Sequence, residues 1–143
     1  MQPIIECVPN FSEGRNLQTI KAITDAIESV EGIRLLDVDP GKATNRTVVT
    51  LVGSPDDVIE AAFRGIQKAS TLIDMRNHTG EHPRMGATDV CPLIPISGIS
   101  MEETAVYAKK LAKRVAEELH IPTYLYEYAQ SNPDRDRKST RLN

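Results

Sequence analysis

The chain has no apolar run approaching the roughly 20 residues that a membrane helix needs, so no membrane partner is expected. Its N-terminus, M-Q-P-I-I-E-C, lacks both a basic n-region and an apolar h-region. Nothing there suggests secretion, and a cytoplasmic location is expected. Basic residues are not in excess. The 17 Lys and Arg stand against 20 Asp and Glu, for a net charge of −3, and no basic stripe points to nucleic acid. Cysteine is scarce: Cys7 and Cys91 lie far apart in sequence, each inside an apolar segment. They read as buried free thiols in a reducing compartment.

What is present suits one soluble core. A length of 143 residues, 40% hydrophobic and 26% charged, is enough for one domain and too short for two comfortable ones. The pattern predicts a strand at Ile4–Val8, stopped by Pro9-Asn10, and a turn-rich exit over P-N-F-S-E-G-R. A helix follows, with Leu17, Ile20, Ile23, Ile27 and Val30 on one stripe and Gly32 where a C-cap would fall. Two strands at 33–38 and 45–52 are joined by a short link that suggests an antiparallel pair. Asp37 and Asp39 lie two apart, so they share a face while the strand lasts.

Ser54-Pro55-Asp56-Asp57 reads as a helix start, with the serine as cap and the two acids suited to the helix dipole. Val58, Ala62, Ile66, Ala69 and Ile73 then form a core stripe. The segment 89–96, broken by Pro92 and Pro95, reads as a bent or edge strand. Ser100 and Glu103 form a capping-box pair for a third helix, whose apolar face runs from Ala105 to Leu119. Pro122 stops it, and 123–128 reads as a last strand. The order matches an α+β domain, a ferredoxin-like split β-α-β with one added α-β unit, and a mixed sheet with helices on one face. Three helices leave the second sheet face uncovered. That face needs a partner chain, a further domain or a ligand. The expected division is a domain over 1–130 and a disordered tail over 131–143, whose composition also fits a non-native terminus.

Met75 to Asp89, M-R-N-H-T-G-E-H-P-R-M-G-A-T-D, stands apart. It is polar and punctuated by glycine and proline, expensive to order and poor in core residues, as binding or catalytic loops are. His78-Thr79-Gly80-Glu81-His82 spells H-x-x-E-H, a zinc-protease pattern. That chemistry needs both imidazoles on one helix face, whereas Gly80 interrupts a helix and Pro83 pushes His82 out of helical conformation. The metal reading is therefore disfavoured. A non-metal site suits the residues: an imidazole titrating near neutrality for proton transfer, Arg84 to fork onto a carboxylate, and Asp39 to orient the imidazole or hold its charged form. A loop ordered only by its own hydrogen bonds stays open beside it.

Four motifs carry a resemblance: E-C-V-P-N-F-S-E-G at Glu6–Gly14, L-L-D-V-D-P-G at Leu35–Gly41, T-N-R-T-V at Thr44–Val48, and H-T-G-E-H-P-R-M-G-A-T-D-V-C-P at His78–Pro92. Together, and in this order, they resemble the formiminotransferase N-terminal subdomain of glutamate formimidoyltransferases, over residues 5 to about 128. The resemblance implies transfer of the formimino group of N-formimino-L-glutamate to N5 of tetrahydrofolate, in the degradation of histidine to glutamate. It makes His82 the catalytic histidine and Asp39 its support, with Asn10, Arg46 and Arg84 as candidates to hold substrate carboxylate or folate, and no metal. It also implies a second, C-terminal subdomain packed on the open sheet face, with a homodimer partner as the other way to cover it. The competing expectations are a folate- or acidic-metabolite-binding module without turnover, and an inactive truncated fragment.

Overall fold

The computed structural model describes residues 2–73 and 87–121. Its strands are β1 (Ile4–Cys7), β2 (Asn10–Phe11), β3 (Arg34–Gly41), β4 (Arg46–Gly53), β5 (Thr88–Val90) and β6 (Leu93–Ser97), and its helices are α1 (Leu17–Glu28), α2 (Pro55–Leu72) and α3 (Met101–Leu119). β1 and β2 are one strand interrupted at Val8-Pro9, and β5 and β6 are one strand interrupted at Cys91-Pro92. In space β3 borders β4, β4 borders β1 and β2, and these border β6 and β5. Every pairing is antiparallel. β1 and β3 both run opposite to β4, which lies between them: the split β-α-β arrangement. The strand expected over 123–128 lies outside the described residues, as does the tail over 131–143.

Two prolines explain why the interrupted strands break where they do. A proline has no N–H to give a ladder. The neighbouring chain compensates: Val49 donates to the Pro9 carbonyl at 3.0 Å and Val8 donates to the Pro92 carbonyl at 3.1 Å. Pairing then resumes, so Asn10-Phe11, expected as turn, becomes strand with β4 on one side and β5 on the other. β3 also runs past its expected stop, through Pro40-Gly41. Among the described residues β3 pairs with β4 alone, and an edge strand tolerates the missing donor.

All three helices cover one sheet face. Ile5, Cys7, Phe11, Val49, Leu51 and Leu93 from the sheet are buried with Ile23 and Ile27 of α1, Val58, Ala62 and Ile66 of α2, and Leu111 and Val115 of α3. Each large aliphatic side chain so buried is worth about 1.5–3 kcal/mol of transfer free energy. α1 ends sooner than its stripe suggested. Ser29 is the C-cap, Val30 packs from the following turn, and Gly32 turns the link at φ 92°. Leu17, at the first helical position, is 67% exposed. Ser54 begins α2 without a side-chain cap bond, while Ser100 and Glu103 form the full capping box. α2 and α3 are tied by Glu60, which accepts from Arg64 at 2.8 Å and from Arg114 at 2.6 Å. The Arg114 guanidinium lies 3.8 Å from the centre of the Phe63 ring.

Candidate functional site

Among the described residues, the sheet face that no helix covers carries Asp39, Asn10 and Arg46. Strand alternation sends Thr47, Val49 and Leu51 of β4 into the core, so Arg46, Val48, Thr50 and Val52 face the other way, each half-buried. Register then fixes their neighbours. Asp39 of β3 is opposite Val48 on one side and Asn10 of β2 is opposite it on the other. Asp39 and Asn10 therefore share the open face with Val48 between them, two strand spacings apart, or about 10 Å between their Cα atoms. Asp37 stands opposite Thr50, so the two aspartates do share a face. Arg46, two residues before Val48, falls on the same face at the same end of the sheet. Glu6, Val52 and Ile94 form a further row on it. Ile94 and Ile96 are 38% and 53% exposed there.

The structure thus brings Asp39, Asn10 and Arg46 together. His82 and Arg84 lie outside the described residues, as does the H-x-x-E-H pattern. The end of their segment is described: the Ala87 carbonyl accepts from Ser12 N at 2.8 Å, Thr88 pairs with Phe11 and Val90 pairs with Asn10. The chain leaving the central loop is therefore stitched to the strand that carries Asn10. Among the described residues, no group of three or more His, Cys, Asp or Glu side chains gathers as metal ligands would.

What holds the three residues in place was less visible in the sequence. Ser12 and Gly14 are buried, and Gly14 lies against the β3–β4 turn. Gly14 N–H donates to Asn45 Oδ1 at 2.8 Å, and the Thr47 hydroxyl donates to the Glu13 carbonyl. Asn45 is itself buried and adopts φ 53°, a left-handed conformation that asparagine tolerates better than most residues. A Cβ on Gly14 would lie 2.1 Å from the Gly41 carbonyl oxygen and 2.5 Å from Arg46 N, so only glycine permits this approach. The P-N-F-S-E-G, D-P-G and T-N-R-T segments are one interlocked unit. Asn10 adds a local brace, donating from Nδ2 to the Val8 carbonyl at 3.0 Å across the Pro9 break. A glycine followed by a polar turn would have been the only sequence signal for the Gly14–Asn45 pair, and it does not say which turn is met.

Among the described residues, then, the α+β domain has helices on one sheet face, and its other face carries an acid, an amide and a guanidinium around Val48. The comparisons with known proteins give it a family. The chain matches the formiminotransferase domain, N-terminal subdomain, over residues 4–141, and belongs to that family. It is 56% identical over 135 residues to the formimidoyltransferase-cyclodeaminase of Rattus norvegicus, covering 94% of this chain and 25% of that protein. It is 47% identical over 135 residues to the glutamate formimidoyltransferase of Streptococcus pyogenes serotype M1, covering 94% of this chain and 45% of that protein. Against the enzyme of that name from Thermoplasma acidophilum it is 48% identical over 132 residues. The chain thus spans between a quarter and just under half the length of these curated relatives. Among the described residues no helix is long and apolar enough to cross a membrane.

Proposed function

We propose that this chain is the histidine-bearing half of a glutamate formimidoyltransferase. It would act in the cytoplasm on N-formimino-L-glutamate and tetrahydrofolate, in histidine degradation. The observation that carries this reading is the row Asp39–Val48–Asn10 on the open face, beside the point where the segment bearing His82 rejoins the sheet. Five covalent steps separate His82 from Ala87, which keeps its Cα within about 18 Å of that anchor.

Val48, Val52, Ile94 and Ile96 offer aliphatic surface to a flat ring system, with Thr50 and Glu6 between them and Asp39 and Asn10 as polar partners on either side of Val48. Tetrahydrofolate supplies the nucleophilic nitrogen. The protein's own task is to move protons. His82 takes one from the attacking nitrogen and delivers one to the departing glutamate amine, which a single group titrating near neutrality does with least penalty in either direction. Asp39 orients the imidazole and stabilises its charged form. Arg84 and Arg46 hold carboxylates, and Asn10 fixes the co-substrate by hydrogen bonding. The C-terminal subdomain, or a second copy of the chain, covers the open face and excludes water.

The test is glutamate release from N-formimino-L-glutamate in the presence of tetrahydrofolate, by this chain together with a C-terminal subdomain from a relative. His82→Ala should reduce the rate at least about 100-fold, the scale of a lost general acid–base. Undiminished release in that variant rejects the assignment. Tight tetrahydrofolate binding with no turnover in the unaltered pair would favour the binding-module reading instead.

A further inference from the structure

We propose that Cys7 and Cys91 are an oxidisable dithiol, a site where hydrogen peroxide joins two core thiols into one intramolecular disulfide that ties β1 to the junction of β5 and β6. The two sulfurs are 84 residues apart in sequence and 3.4 Å apart in space. Both are free thiols, fully or almost fully buried. Cys7 pairs with Leu93, two residues beyond Cys91, so the cysteines belong to neighbouring strands. Val8 N–H to the Pro92 carbonyl fastens the backbone beside them. A disulfide sulfur pair sits at about 2.05 Å, so each sulfur has roughly 0.7 Å to travel. Side-chain rotation covers that distance.

The surroundings set the rate. The neighbouring Cys91 sulfur, and after it burial, push the Cys7 thiol well above the usual thiol range. Since thiolate is the reactive form, Cys7 is slow to meet oxidant on its own. Cys91 retains the 3% exposure that Cys7 lacks and is the entry point. Its sulfur attacks one peroxide oxygen, the O–O bond breaks, and a sulfenic acid and one water form. The Cys7 sulfur then attacks the sulfenic sulfur, the S–S bond forms as the S–O bond breaks, and a second water leaves. Two thiols and one peroxide give one disulfide and two waters, with two electrons passing to the peroxide. The product clamps the strand that receives the chain after the central loop to the strand that leads into Asn10.

The experiment exposes the reduced 143-residue chain to hydrogen peroxide and counts thiols after unfolding. Peptide masses locate the product. The proposal expects the count to fall from two to zero in a monomeric chain, with the peptides holding Cys7 and Cys91 joined and about 2 Da lighter than their sum. Dithiothreitol should restore both thiols. In Cys91→Ser, Cys7 should oxidise at least about 10-fold more slowly. Two thiols that persist, independent sulfinic acids, or a cross-link between two chains would each overturn the proposal. Should Cys91→Ser fold poorly, the masses from the unaltered chain still decide.

Discussion

Replacing Gly14 by alanine tests whether the interlocked turn is what positions the candidate site. The added methyl would sit 2.1 Å from the Gly41 carbonyl oxygen, 2.5 Å from Arg46 N and 2.9 Å from the Arg46 carbonyl oxygen. All three are backbone atoms of paired strands, so no side chain can swing aside. Relief requires lifting 12–14 off the β3–β4 turn by more than about 1 Å, the shortfall against an ordinary contact distance. That movement stretches the Gly14–Asn45 and Thr47–Glu13 hydrogen bonds together. Overpacking costs about 1–3 kcal/mol and each lost buried bond about 1 kcal/mol, for a total of about 3–5 kcal/mol.

Gly65→Ala is the matched control. Its methyl would meet Ile27 Cγ1 at 2.9 Å, Ile27 Cδ1 at 3.0 Å and Phe11 Cζ at 3.4 Å, all side-chain atoms, so core side chains rather than backbone must give, by a few tenths of an ångström. Alanine is also about 1 kcal/mol better than glycine within a helix, so a net cost below about 2 kcal/mol is expected. Urea unfolding at neutral pH, followed by far-ultraviolet circular dichroism, measures both. If Gly14→Ala loses under about 1 kcal/mol, or less than Gly65→Ala, the rigid-turn reasoning is wrong.

Two further outcomes follow from the surface and from the charge network. Val48→Lys should alter stability by less than about 1 kcal/mol, since Val48 is half-exposed on the open face. It should weaken tetrahydrofolate binding at least about tenfold by placing a charge on the apolar centre of that face, and unchanged binding in calorimetry would remove that face from the site. Glu60 titrates below its ordinary value of 4.5, chiefly through its hydrogen bond from Arg114 and further through Arg64. A lowered carboxylate stabilises the fold fully above 4.5, and that contribution drains away as pH falls through the lower folded value. Glu60→Gln should therefore lose stability less steeply than the unaltered chain below about pH 4.5, by a modest margin because the pair is partly solvent-screened. Equal slopes in denaturant titrations across that range would show that the network adds nothing.

The parts of this protein legible from its residues are those governed by neighbours within a turn or two. The stripes of α2 and α3, the Ser100–Glu103 capping box and the prolines that bend the strand around Cys91 all rest on spacings of two to four residues. Asp37 and Asp39 share a face for the same reason, and the Asp39 and His82 motifs resembled the family that the comparisons then showed. Local reading erred where a distant chain supplied what was missing. Asn10-Phe11 is a strand because β4 and β5 flank it, and Pro40 continues β3 because β3 is an edge among the described residues.

The register of β3, β4 and β2 is what sets Asp39 and Asn10 either side of Val48, and it is likewise what presses Gly14 against Asn45 and brings the sulfur of Cys7 to that of Cys91. Side-chain periodicity tells which way a residue points, but a ladder can form at several offsets. Only the simultaneous packing of three helices on one face selects the offset that brings residues tens of positions apart into contact.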